Sequence, residues 1–215
     1  MANPASSLAF LLGSACLLGA CETAAPSRPL ATRLAAGPGP ALDEQVRELS
    51  RASRPAAQHE ALAALVGDWE VEHQVLDSND HPTAPFHGHA AITRILGGRF
   101  VRWDLQVDFG GTPGTQTGFL GYDLRTGEYQ LLMISDLATG MIVASGRGDL
   151  SGAGLVFTLE QLEPRSGARV RARSRLRLLG PDRFVLEVLQ AGPDGVERPA
   201  LVTKYARVRE SAPTK

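Results

Sequence analysis

The chain has 215 residues, with 22 Lys and Arg against 23 Asp and Glu, and 43% of its residues are hydrophobic. A formal net charge of −1 carries no bias towards nucleic acid or anionic membrane surfaces. Its only cysteines are Cys16 and Cys21, so the body of the chain has neither a disulfide framework nor a Cys-based metal site.

At the N-terminus, Leu8 to Ala20 form an apolar run bounded by small residues. The run is too short to cross the ~30 Å hydrocarbon core of a bilayer as a helix. It fits the apolar region of a secretory signal, although residues 1–20 lack the usual Lys or Arg. The run ends in Leu18-Gly19-Ala20-Cys21, which resembles the lipobox of bacterial lipoproteins. That resemblance implies cleavage before Cys21 and acylation of both its sulfur and the new N-terminus. Lipid chains contribute ~0.8 kcal/mol per buried CH₂, so several of them hold a protein on a membrane. Residues 21–40 are rich in Ala, Pro, Gly, Ser and Thr and read as a flexible tether. Glu22, rather than Asp, follows the cysteine, which by the same resemblance favours the outer membrane. The expected location is the bacterial cell envelope, lipid-anchored on the periplasmic side of the outer membrane.

Residues 41–66 predict one or two short helices. Leu42, Val46 and Leu49 recur at helical spacing, and Leu62 and Leu65 share a face of a second segment over Gln58 to Val66. After Gly67 the period changes to two. Trp69, Val71, His73 and Val75 alternate with polar residues, as do Val101, Trp103, Leu105, Val107 and Phe109, and then Phe184, Leu186 and Val188. Turn signals separate these runs at Gly97-Gly98, Asp123 to Gly127, Asp136 to Gly140, Ser151 to Gly154, Pro164 to Gly167, Gly180 to Asp182 and Pro193 to Gly195. About ten strands follow, closely spaced and without intervening helices. Short links imply an up-and-down antiparallel meander, and a meander this long avoids exposed edges by closing on itself. The expected fold is all-β: a single antiparallel up-and-down barrel over residues 67–208, with residues 209–215 as a tail.

From His59 onward the chain resembles a bacterial family of exported proteins known only as a domain of unknown function, whose members share a lipocalin-like (calycin) barrel. The matching pieces run in order: His59, Leu65, Gly67 and Trp69; Gly97-Gly98-Arg99-Phe100; Gly121-Tyr122-Asp123; Asp136-x-x-Thr139-Gly140; Gly146; and Tyr205-x-Arg207. The resemblance implies a fold and a ligand cavity, and it supplies no catalytic residues. Related barrels, the nitrobindins, hold haem through a histidine near the C-terminus. Here all five histidines lie between His59 and His89, so no cofactor is expected.

Gly97-Gly98 reads as a hairpin link, Asp123 opens a turn closed by Gly127, and Asp136 and Thr139 are expected to hold another hairpin through side-chain to backbone bonds. His73 shares a face with Trp69 and points inward if that face lines the barrel. A hairpin centred near His81 would place it opposite His89, and His73, His87 and His89 would then offer a weak alternative as an open zinc site. Arg169, Arg171, Arg173, Arg175 and Arg177 alternate with Val170, Ala172, Ser174, Leu176 and Leu178, which places five guanidiniums on one face. Five inward cations would be too costly to desolvate, so the ridge faces water beside Glu160 and Glu187. Its sharper reading is docking on an anionic partner.

No Gly-x-Ser-x-Gly elbow and no glycine-rich loop leading into a helix is present. The leading reading is a non-enzymatic protein that binds a small apolar or amphipathic ligand. Trp69, His73, Trp103, Tyr122, Met133 and Tyr205 are the candidate lumen residues. Two alternatives stand beside it: an enzyme, hydrolase or isomerase, with His73 as general base, and a surface-acting envelope protein with a filled barrel.

Overall fold

The computed structural model describes residues 40–76, 81–162, 169–191 and 195–209. The expected signal, Cys21 and most of the tether lie outside them, as do the Pro164 to Gly167 turn and most of the Pro193 to Gly195 turn.

The chain divides into two compact units, and of the smaller the described residues are 40–55. Within them, α1 spans Pro40–Ala52. Proline is well tolerated in a helix's first turn, and Asp43 near its start and Arg51 near its end both complement the helix dipole. Leu42, Val46 and Leu49, the apolar stripe, are exposed.

The larger unit opens with α2, Ala57–Ala61, which runs into a 3-10 turn at Leu62–Leu65. The remainder is ten strands: β1 Gly67–Val75, β2 Phe86–Ile95, β3 Phe100–Asp108, β4 Pro113–Asp123, β5 Glu128–Ser135, β6 Ile142–Asp149, β7 Gly154–Leu162, β8 Arg169–Gly180, β9 Arg183–Ala191 and β10 Glu197–Arg207. Each pairs antiparallel with its chain neighbours, and β1 also pairs with β10, so the sheet closes into a barrel without an edge. This is the architecture that the alternation predicts.

The 57–65 segment seals one end. Leu62 and Leu65 join the core cluster beneath it, and the Trp69 indole N–H donates to the Leu65 carbonyl at 2.9 Å. His59 is buried. Its Nδ1 accepts the Ala56 backbone N–H at 3.0 Å, and its ring meets Tyr122 edge-on. Arg207, at the end of β10, lies over this seal and donates to the carbonyls of Val66, Ala64 and Pro181. Gly67 starts β1 at φ 138°, and a Cβ there would collide with the Arg207 guanidinium.

One turn differs from expectation. Ile95 pairs with Phe100, so the Gly97-Gly98 link takes four residues, Leu96 to Arg99, of which the first three have positive φ. The Asp136 carboxylate accepts the backbone N–H and the hydroxyl of Thr115 at 2.9 and 2.6 Å, tying the β5–β6 link to β4. The Asp123 turn is as expected, with the Gly127 N–H donating to the Asp123 carbonyl at 2.8 Å.

Candidate functional site

The pairing registers fix which side chains face the lumen. Down β1 these are Trp69, Val71, His73 and Val75, and their exposures climb from 1% to 3%, 7% and 7%. On β9, Phe184 is 0% exposed, Leu186 8%, and Val188 only half-buried. On β7, Leu155 and Phe157 are 0% exposed and Leu159 7%. On β5, Tyr129 and Leu131 are buried while Met133 and Ser135 are half-buried. Along these strands the inward side chains are most tightly buried at the end sealed by residues 57–65 and less tightly towards the other.

Aromatic rings make the floor. Phe184 and Tyr205, directly paired across β9 and β10, stack at 4.1 Å with 7° between their planes. Trp69 and Trp103 meet Phe184 edge-on at 4.7 and 5.5 Å, and Trp103 meets Tyr205 at 5.2 Å. Burial pushes the Tyr205 hydroxyl well above its ordinary pKa, so it remains a neutral phenol. The Trp103 indole N–H leans on that hydroxyl, and Ser174 Oγ is a buried polar atom with no partner.

His73 stands in the wall above the floor. It pairs with Thr203 on one side and Phe86 on the other. Its Nδ1 lies 3.0 Å from Thr203 Oγ1, and its ring meets Phe109 edge-on at 5.5 Å. Burial among these neighbours lowers its pKa from 6.5 to about 4, so the imidazole is neutral at neutral pH. Phe109 follows the last residue of β3 and also packs on Phe86 at 5.2 Å. The missing side chain of Gly114 makes room for it, since a Cβ there would stand 2.7 Å from Leu137 and 2.8 Å from Phe109.

All six lumen residues expected from sequence face inward. Trp69, Trp103 and Tyr205 belong to the floor, His73 and Met133 to the less tightly packed half. Tyr122 lies at the sealed end, edge-on to His59 and Tyr129. Thr203 and Ser174 were missed, although both fall on the inward phase of alternating runs. Phe109 was assigned to the β3 alternation, whereas the strand stops at Asp108.

The alternative zinc site is not assembled. His73 pairs with Phe86, not His89, a register displaced by three residues. An odd displacement exchanges the faces of a strand, so His87 and His89 are exposed on the outside, opposite Glu72 and Glu70. Among the described residues no group of three or more His, Cys, Asp or Glu could hold a metal ion. The two histidines instead line an outer groove of about 670 Å³ with Glu70, Gln106, Asp108 and Thr115.

The arginine ridge lies outside, as expected. Arg175 and Arg177 reach Glu187 at 2.7 and 3.6 Å, and Arg169 and Arg171 reach Glu160 at 3.9 Å. Arg173 pairs with Glu197 at 2.8 Å.

A protein-family profile described as "Protein of unknown function (DUF1579)" matches residues 54–207. Among solved structures, Rv2717c from M. tuberculosis is similar, with a TM-score of 0.53 and 18% identity over 73% of this chain and 100% of that one. At that identity the likeness concerns the fold alone. The S-type phycobiliprotein lyase CPES from Guillardia theta is 13% identical with a TM-score of 0.45, again over 73% of this chain and 100% of that one. No curated relative matches the chain.

Proposed function

The match across residues 54–207 makes this chain a member of the DUF1579 family, and with that as premise we propose that it is a binding protein holding one small apolar or amphipathic molecule inside its barrel. The observation that carries the reading is the gradient of burial from a sealed aromatic floor to a less tightly packed half. An apolar cup with a few neutral polar groups is the usual design of a small-molecule site. Met133, Leu159, Leu186 and Val188 supply apolar wall, while His73 and Thr203 supply polar atoms that orient a guest.

The enzyme reading is less well supported. A general base needs an orienting partner and a pKa near the working pH. His73 is oriented by a hydroxyl, not a carboxylate, and its pKa is lowered by apolar burial to about 4. The surface-acting reading is weakened by ion pairs that engage all five ridge arginines with Glu160, Glu187 and Glu197, which offset three of the five charges.

The proposal includes export and a lipid anchor on Cys21, which would hold the cup at the periplasmic face of the outer membrane. This part rests on the lipobox-like Leu18-Gly19-Ala20-Cys21. Cys21→Ser should release the protein into the soluble fraction, and unchanged membrane association would refute the anchor.

Native mass spectrometry of the purified protein, compared with its denatured mass, tests the binding function. Extra mass lost on denaturation identifies the class of guest. A bare mass that fatty alcohols and aromatic probes fail to increase refutes it.

A further inference from the structure

Between floor and rim, the polar groups that the described strands direct into the lumen are uncharged, among them His73, Gln116, Ser135, Ser174 and Thr203. Charges are confined to the ends and the outer face. Arg94 and Arg207 stand at the sealed end, and Arg198 lies near the rim, opposite Gln190.

We infer that the occupant of the cup is an uncharged, largely apolar molecule carrying a hydrogen-bond acceptor such as a carbonyl or ether oxygen, and that carboxylates are rejected. The inference rests on the binding reading above and adds the chemical class of the guest. An ion taken from water into such a wall loses its hydration and meets no counter-charge. His73 does not provide one at neutral pH, because its burial holds it neutral.

The need for an acceptor comes from one orphaned atom. Ser174 Oγ can donate, yet it is buried without a partner in a residue that is 4% exposed. Proteins rarely leave such groups unmet, and a guest that accepts from one removes the penalty.

The test uses three molecules of similar shape: naphthalene, 2-acetylnaphthalene and 2-naphthoate. Each is titrated at pH 7.5 into the full chain carrying Cys21→Ser, with tryptophan fluorescence and calorimetry as readouts. Acetylnaphthalene is expected to bind at least tenfold tighter than naphthoate and several-fold tighter than naphthalene. Ser174→Ala should weaken acetylnaphthalene several-fold and leave naphthalene unchanged, since it removes a donor and almost no volume. Naphthoate binding as tightly as acetylnaphthalene overturns the inference. So does acetylnaphthalene binding no better than naphthalene, while the binding function itself survives either result. If none of the three binds, the binding reading fails first and this inference with it.

Discussion

The guanidinium of Arg207 stands 4.1 Å over the ring of Trp69, and the same group donates to carbonyls of the 3-10 turn and of the β8–β9 turn. One side chain thus joins the last strand, the first strand and the seal of the barrel. Arg207→Ala should cost about 3 kcal/mol, because several charge-assisted hydrogen bonds and a cation–π contact go together. Arg207→Lys keeps the charge but loses the fork, and should recover less than half of that. Urea unfolding reads both: the midpoint should fall with little change in slope. A midpoint unmoved by Arg207→Ala would show the seal to be self-supporting.

His73 makes stability depend on pH with a defined sign. Its pKa is 6.5 when unhindered and about 4 when folded. As pH falls the unfolded chain therefore takes up the proton first, and stability is lost between about 6.5 and 4. Above that window the residue contributes nothing to the pH dependence. At roughly 1.4 kcal/mol per pKa unit the loss is at most about 3.5 kcal/mol. His73→Gln should flatten that part of the stability profile. Equal slopes for both proteins between pH 6.5 and 4 would mean that the imidazole is better hydrated than its burial implies.

Thr203→Val removes the hydroxyl facing His73 Nδ1 and keeps the volume. A buried ring nitrogen is then unpaired, at about 1–2 kcal/mol. The diagnostic readout is the nitrogen chemical shifts of His73, which should report a change in tautomer balance. Unchanged shifts would mean that Thr203 does not set which nitrogen carries the proton.

The arginine ridge offers an internal comparison. The Glu187 side chain is 11% exposed between Arg175 and Arg177, whereas Glu160 is 58% exposed with its partners at 3.9 Å. Glu187→Gln should cost about 1.5 kcal/mol, and Glu160→Gln should leave the unfolding midpoint where it was. Equal effects would show that burial of the carboxylate is not what matters along this ridge.

Much of the fold was legible because period two is visible in composition alone. The runs at Trp69 to Val75, Val101 to Val107 and Phe184 to Val188 declare their inner faces directly. Register was less legible. The link from Val75 to Phe86 is long, so no turn type fixes how β1 and β2 align, and a slip of three residues moved His87 and His89 from the expected inside to the outside. Depth was not legible at all. Tyr122 and Met133 share the inward phase, yet one lies at the seal and the other in the less tightly packed half. Their height along the barrel follows from the stagger of the whole sheet, which no single strand encodes.

The polar pair in the wall also lies on the line where the barrel is stitched shut. His73 is in β1 and Thr203 in β10, 130 residues apart in the chain. Contacts that distant form only after large loops have closed, so this seam is expected to be among the last regions to assemble. A half-made chain has two bare sheet edges, and the barrel closes only when residues up to Arg207 are in place. A guest that touches both strands would in turn fasten the seam. Its presence should then be recorded as slowed amide exchange along β1 and β10, far more than along β5 and β6.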